Sequence, residues 1–342
     1  MPFDRFMALA LYAPGLGYYA SDARQFGTMP HGVKGGGSDF VTAPELSALF
    51  GRALAVQVRQ ALDATGTCEI WEFGAGSGAL ALQLLDELGD SVATYTIVEL
   101  SAVLRERQQA TLVAHAGKLR WVGELPDALH GVVLGNEVLD AMPVKLLVRK
   151  AGEWHERGVV WHDDRPLFAD VPTALRPPRD IPGPHDYLTE IHLQAEAFMR
   201  TLADRLKTGA AFLIDYGFAE SEYYHPQRHM GTLMCHQGHR ADGDPLAEVG
   251  RKDITAHVNF TGVALAAQEA GLPVLGYTTQ ARFLMNCGLI GLLESASMAE
   301  RALAHKLMAE HEMGELFKVI ALSPQVGFEP LGFAQGDRTH RL

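Results

Sequence analysis

Beyond about residue 67 the chain alternates short solid runs of apolar residues with segments whose apolar positions recur every three to four residues. Solid runs of four to eight residues predict buried strands, and the longer periodic segments predict helices with one apolar face. On this basis Glu69–Phe73 is a strand, Ala79–Leu88 a helix, Thr94–Val98 a strand and 104–115 a helix. Short strands follow at Leu119–Val122 and 131–134. Such alternation predicts an α/β fold, a parallel sheet covered by helices on both faces, with ligand sites outside the carboxyl ends of the strands.

The flanking pattern divides the rest. Before the core, a helix is predicted over 6–11, a Gly-rich loop at 35–37, and a longer helix opening at Pro44. In that helix Leu46, Leu49, Phe50, Leu54, Val58 and Leu62 form one stripe, and Gly66 lies just past its end. We read 1–66 as an N-terminal helical cap, whose apolar face either covers the sheet or meets a second subunit, leaving a homodimer open. The core spans 67–142 and resumes over 189–325. Between them, 143–188 carries strand signals at 144–149 and 154–161, then Pro172, Pro177, Pro178, Pro182 and Pro184. Prolines remove backbone donors, so this stretch reads as an irregular insertion suited to a substrate lid. The second core part reads as a helix over 191–206, a strand over 210–214 and a His- and Gly-rich substrate-lining loop over 219–252. A helix over 255–270 follows, ended by Gly271 and Pro273, then strands 274–277 and Phe317–Leu322 around a last helix at 292–310. Residues 326–342 are left as a tail.

Composition narrows the class. With 342 residues and 47% apolar content, one large domain with an insertion can bury a sizeable core. The formal charge of -12 is spread evenly and no basic block could neutralise several phosphates, which disfavours nucleic acid. Cys68, Cys235 and Cys287 are too few and too scattered for a disulfide framework, so a reducing compartment is expected, and we assign the cytoplasm. The first residues lack the basic start and apolar core of a secretory signal. No apolar run reaches the roughly 18 to 20 residues of a membrane span.

The sharpest local signal is Glu72-Phe73-Gly74-Ala75-Gly76-Ser77-Gly78, at a predicted strand-to-helix turn. Glycines there permit positive φ and let a ligand approach the backbone at a helix N-terminus. Gly74, Gly76 and Ala79 also satisfy a dinucleotide pattern, so the turn alone leaves an NAD-dependent oxidoreductase open. Glu72 separates the readings. A carboxylate there repels a pyrophosphate but attracts the ammonium of a methionine moiety, which favours S-adenosyl-L-methionine. Glu99 ends the second strand, where an acceptor pair takes ribose hydroxyls; either cofactor uses such a residue, and a solvated strand-end charge is the plain alternative. Leu100 and Ser101 then flank the sugar. Glu124 and Leu125, with Gly123, either border the adenine or form an ordinary strand-to-helix loop.

A second polar constellation, Asn136, Glu137 and Asp140, follows the fourth strand, a position that faces a methyl donor. Asn136 falls beside the donor. A guanidinium has no free lone pair at neutral pH, and paired carboxylates can bind it, concentrate its charge and orient one nitrogen for in-line transfer. Glu137 and Asp140 therefore form a candidate clamp, or else cap the following helix. Asp215 and Tyr216 line the acceptor site or simply finish the fifth strand. His257 faces the cleft, with Asp253 read equally well as a helix N-cap. Cys235, His236, His239 and His229 lack a second ligand pair at zinc-like spacing, so no metal is expected.

Several segments together resemble the MidA family, which includes the mitochondrial complex I assembly-factor arginine methyltransferases. They are F-M-A-L-A-L-Y-A-P-G-L-G-Y-Y (Phe6 to Tyr19), D-F-V-T-A-P-E-L-S (Asp39 to Ser47), E-F-G-A-G-S-G, G-N-E-V-L-D-A-M-P-V (Gly135 to Val144), I-D-Y-G, G-T-L-M-C-H-Q-G-H and D-I-T-A-H-V-N-F, in order along nearly the whole chain. The resemblance implies a class I methyltransferase with a Rossmann-like seven-stranded sheet whose final strand is antiparallel. It also implies S-adenosyl-L-methionine as donor and symmetric dimethylation of arginine on a 49-kDa-type subunit of respiratory complex I, a protein substrate. Thr42-Ala43-Pro44-Glu45 resembles the family's cleft-lining loop, which adds Thr42 and Pro44 as substrate-lining residues and Glu45 as a third candidate carboxylate. The family tends to have Ser at Ala43 and Asp at Asn259. A non-catalytic assembly chaperone that kept the fold is the remaining rival, since fold alone does not guarantee chemistry.

Overall fold

The computed structural model describes residues 1–20, 41–238, 240–325 and 327–342. The Gly-rich segment 35–37, Asp39 and His239 lie outside the described residues. Seven strands form the main sheet: β1 (Glu69–Phe73), β2 (Thr94–Val98), β3 (Leu119–Val122), β4 (Leu129–Asn136), β5 (Leu206–Phe218), β6 (Val274–Thr279) and β7 (Phe317–Leu322). Their order is β6-β7-β5-β4-β1-β2-β3, with the two-residue strand Val258–Asn259 added beside β5. All pairs from β3 to β5 are parallel, and β7 runs antiparallel between β5 and β6. The strand order reverses between β1 and β4, so the crevice beyond their carboxyl ends is where a ligand site belongs.

Each face of the sheet carries its own core. On one, Ile70, Tyr95, Ile97, Val132, Leu134 and Phe212 pack against α3 (Ala48–Thr65) and α4 (Ala79–Leu88). On the other, Trp71, Phe73, Val133 and Leu213 pack against α6 (Leu193–Arg205) and the helix Phe260–Glu269. The stripe Leu49, Phe50, Leu54, Val58 and Leu62 of α3 is buried here, so it covers the sheet. Ser47 caps that helix by accepting from the Leu49 amide at 3.3 Å, and Gly66 closes it in the left-handed conformation at φ 64°.

Several boundaries differ from the sequence reading. The helix expected from Pro44 is two, α2 (Ala43–Leu46) and α3, broken at the extended Ser47. The cap over 1–66 is not one layer either. Its first helix, α1 (Phe3–Tyr12), packs on the insertion, where Phe3, Met7, Val144, Leu146 and Val159 share a third core. The insertion itself is an ordered four-stranded antiparallel sheet, Arg165–Pro172, Glu153–His162, Lys145–Lys150 and Tyr187–Ile191 in that order. Two of these strands were missed because the prolines between them mask the alternation. The helix expected over 255–270 begins only at Phe260, since Asp253–Thr255 is extended and pairs with Met234–His236. Asn259, not Asp253, is its N-cap, accepting from the Gly262 amide. The stretch expected as a tail packs back on the fold: Gln57 accepts from the Gly332 amide at 2.7 Å, and Phe333 is buried.

Candidate active site

A cavity of about 840 Å³ occupies the crevice at the β1/β4 reversal. Its floor is the turn after β1. Gly74, Gly76 and Gly78 all have positive φ, and at Gly74 (φ 61°) an added Cβ would come within 3.1 Å of Val138. Gly74, Ala75, Gly76 and Ser77 line the cavity, and α4 starts behind them with its amides directed at the turn. Gly78, expected among the cofactor contacts, instead serves as the left-handed N-cap of α4 and turns toward Leu112.

Two carboxylates border this end. Glu72 is 2% exposed and accepts from the Tyr95 hydroxyl at 2.7 Å; burial pushes its carboxyl up to about 7, against the pull of that bond. Glu99 is fixed by the Ser101 amide at 2.8 Å and Gln108 Nε2 at 3.0 Å, and burial raises it too. Gln108, on α5 (Ala102–Thr111), also donates to the Gly76 carbonyl at 3.1 Å and accepts from the Trp121 indole at 3.0 Å. One amide thus ties the glycine turn, the acid after β2 and strand β3 together. Sequence reading missed it; the available signal was a polar residue one turn after Leu104, on the inward face of its helix. Leu100 is exposed at the rim. Glu124 is exposed and Leu125 packs under the sheet, so neither reaches the cavity: the chain after β3 turns away before them.

The other end is built on residues 136–140. Glu137 adopts φ 54°, rare for a residue with a side chain, while its amide donates to the Ile214 carbonyl at 2.8 Å. The turn presents Asn136, Glu137 and Asp140 to the cavity. Burial and the charge of Asp140 push Glu137 up to about 8, opposed by bonds from Asn136 and the Ala43 amide. Asp140 is 5% exposed; burial raises it to about 6, while the Tyr216 hydroxyl, donating to Oδ2 at 2.5 Å, pulls it down. Its Oδ1, like Asn136 Oδ1, makes no hydrogen bond among the described residues. The walls are aromatic: Tyr216 meets His257 edge-on at 5.1 Å and Phe317 at 5.3 Å, and His257 stacks on Phe218. Burial holds His257 neutral, down at about 4.

Thr42, Pro44 and Glu45 line the same cavity, but Glu45 accepts from the Ser77 hydroxyl and so sits against the glycine turn. Asp215 does not line it: its carboxylate is turned inward, onto backbone amides of the 138–140 turn. Two tyrosines not assigned from sequence complete the chamber. Tyr12 donates to the Ala141 carbonyl at 2.8 Å, and Tyr19 donates to Asp253 at 2.9 and 3.0 Å. The two rings stack at 5.6 Å. No Lys or Arg lines the cavity among the described residues.

A parallel sheet with an antiparallel β7, a glycine turn after β1, an acid after β2 and a polar turn after β4 define a class I methyltransferase. The glycine cradle and the buried acids suit a nucleoside joined to a cationic amino acid. Residues 50–278 match the model of a family described as S-adenosyl-L-methionine-dependent methyltransferases, and the chain belongs to it. A crystal structure from Burkholderia thailandensis bound to S-adenosyl-homocysteine superposes with TM-score 0.94 at 48% identity, covering 100% of this chain and 92% of that one. The zebrafish (Danio rerio) protein arginine methyltransferase NDUFAF7, mitochondrial, is 28% identical over 93% of this chain and 82% of its own. Its human counterpart is 27% identical over 93% and 79%. The cofactor is therefore S-adenosyl-L-methionine, and the oxidoreductase reading falls. The cytoplasmic expectation is overturned as well, since these relatives are named mitochondrial. Scattered cysteines fit any reducing compartment, so they never separated the two. No helix among the described residues is long and apolar enough to cross a membrane.

Proposed function

We propose that the protein transfers methyl groups to an arginine side chain of a protein, with symmetric dimethylation of a 49-kDa-type complex I subunit as the specific reaction. The observation that carries the acceptor is the chamber around Glu137 and Asp140: two raised carboxyls, one with an unpartnered oxygen, behind aromatic walls and with no lining cation among the described residues. A guanidinium supplies the missing charge, brings both carboxyls down, and is held by two acceptors in one geometry. The names of the NDUFAF7 relatives support the arginine class.

In this reading Glu72 and Asn136 hold the amino-acid end of the cofactor, Glu99 the ribose, and the 74–77 backbone lies along it. The bound cofactor supplies an electrophilic methyl on a sulfonium. Glu137 fixes the guanidinium, the aromatic walls exclude water, and Asp140 Oδ1 receives the proton lost from the methylated nitrogen. The test is incubation with labelled cofactor and the candidate subunit, followed by mass spectrometry of that subunit from cells with and without the protein. Label on a residue other than arginine, or an unchanged subunit, would refute the acceptor. Equal incorporation by Glu137→Gln would refute the clamp.

A further inference from the structure

The residues proposed to meet the acceptor sit on a turn that has little to hold it by itself. Glu137 is in the left-handed region at φ 54°, a conformation that costs a residue with a Cβ about 1–2 kcal/mol. Beyond it, three consecutive amides point the same way, and one atom receives them all. Asp215 Oδ2 accepts from Val138 at 3.1 Å, Leu139 at 2.9 Å and Asp140 at 3.2 Å. Its Oδ1 accepts from the Tyr216 amide at 2.9 Å. Successive N–H groups after a left-handed residue make an anion-binding concavity, and here the anion comes from the protein itself.

We propose that Asp215 is the positioning residue of the acceptor site: without touching the acceptor, it holds the 137–140 turn so that Glu137 and Asp140 enter the chamber together. The geometry excludes direct contact. Asp215 is 1% exposed and absent from the cavity wall. It stands within β5, one residue past Ile214, which pairs with Asn136 at the end of β4, so it joins β5 to the turn that leaves β4. A second link runs the same way: the Tyr216 hydroxyl, one residue on, reaches Asp140 Oδ2. The glycine turn, Glu72 and Glu99 are built by β1, β2 and α5, and Asn136 is set by its pairing with Ile214 at the end of β4, ahead of the amides that Asp215 receives. Loss of Asp215 therefore separates transfer from cofactor binding.

This inference rests on Glu137 and Asp140 facing the acceptor, not on the acceptor being arginine. The test uses the full chain, S-adenosyl-homocysteine, labelled cofactor, and as acceptor source an extract from cells of the source organism lacking the protein. Asp215→Asn keeps one oxygen for the three amides but sets an N–H against the Tyr216 amide; Asp215→Ala removes both acceptors. Affinity for S-adenosyl-homocysteine by calorimetry should stay within about twofold of wild type in both, while kcat falls in the order wild type, Asn, Ala, by about tenfold to about a hundredfold, as expected for a misplacement of about 1 Å. The KM for the cofactor should not move. Rates are taken well below each variant's melting temperature, where a merely stabilising residue leaves kcat intact. Wild-type kcat in both variants, or loss of cofactor affinity in step with kcat, overturns the proposal. Glu137→Gln and Asp140→Asn run in parallel: if they too leave transfer unchanged, the acceptor reading itself is wrong. Should neither Asp215 variant fold, amide exchange in the wild type decides, because Val138, Leu139 and Asp140 must exchange as slowly as the core of β5; exchange at loop rates sinks the proposal.

Discussion

Removing the Tyr216 hydroxyl isolates one interaction at the acceptor end. Tyr216→Phe keeps the ring against His257 and Phe317 and deletes the hydroxyl that donates to Asp140 Oδ2. A hydrogen bond to a charged group contributes about 1.5–3 kcal/mol. One pKa unit corresponds to about 1.4 kcal/mol, so its loss raises Asp140 by about one to two units. Asp140 starts at about 6. In the variant it titrates at about 7 to 8, and its ionised fraction at pH 7 drops from about 0.9 to between about 0.5 and 0.1. If the ionised form takes up the proton released on transfer, the acid limb of kcat/KM, which reports the free enzyme, moves up by the same one to two units. At pH 7 kcat/KM falls about two- to tenfold, and near pH 9 it returns toward wild type. The assay is incorporation of labelled methyl into the acceptor across the pH range, with S-adenosyl-homocysteine affinity as control. The limb belongs to the interacting pair Asp140 and Asp215, so the shift is read as one macroscopic value. A rate lowered equally at every pH, with the limb in place, refutes the reasoning.

Three further outcomes follow from the same geometry. Gln108→Leu removes the donors that fix Glu99 and the Gly76 carbonyl, and S-adenosyl-homocysteine should bind about ten- to a hundredfold more weakly by calorimetry, from two lost bonds of about 1 kcal/mol or more each; unchanged affinity would remove Gln108 from the site. Gly74→Ala places a Cβ at positive φ and 3.1 Å from Val138, so melting temperature and cofactor binding should both fall, the strain alone costing about 1–2 kcal/mol. The ligand-free protein should gain stability as pH falls from about 8 to about 6.5. Glu137 (4.5 to about 8) and Glu72 (4.5 to about 7) hold protons in the folded state that the unfolded chain has lost, so stability declines as pH rises through that window. Below about 6.5 the gain flattens, because His192 and His257 are held neutral, down at about 4, so the unfolded chain takes up protons there that offset those held by the raised carboxyls. Thermal melts at closely spaced pH give the check, and a flat profile between 6.5 and 8 would count against the raised carboxyls.

What could be read from the sequence was what is encoded locally. The 72–78 turn, Glu99 and the 136–140 turn each lie directly after a strand, and a strand-to-helix alternation places such turns at one end of a parallel sheet. The apolar stripe of α3 needed only its own helical period. The unread parts depend on partners distant in the chain. Tyr12 reaches Ala141 across 129 positions and Tyr19 reaches Asp253 across 234, and no short window holds either pair. Asp215 was legible as a polar strand end, but its inward turn depends on the register of β5 with β4, which a single sequence does not give. β4 and β5 also ran longer than their apolar runs. Gly131 faces Gly209 at φ 119° and 130°, and a Cβ on Gly209 would lie 1.8 Å from the Gly131 carbonyl, so β5 continues through a glycine that lies outside the predicted strand.

The electrostatics of the cleft follow from one choice, acids without bases. Glu72, Glu137 and Asp140 are all pushed upward chiefly by burial, and no lining Lys or Arg among the described residues offsets them. A permanent salt bridge in each place would satisfy the carboxyls and leave nothing for a ligand. Left as they are, they carry an unmet demand for positive charge at both ends of one cavity, the end beside the glycine turn and the end beside the aromatic walls. In the proposed reaction a sulfonium donor with its ammonium answers the first demand and a cationic acceptor the second. Each arrival lowers the local carboxyl and releases a proton, so ionisation and binding reinforce each other. The fold holds this arrangement through neutral donors alone: the Tyr95 and Tyr216 hydroxyls and the backbone amides that close on Asp215. Neutral donors position a carboxylate without cancelling its charge, which is the property a cation-binding cleft requires.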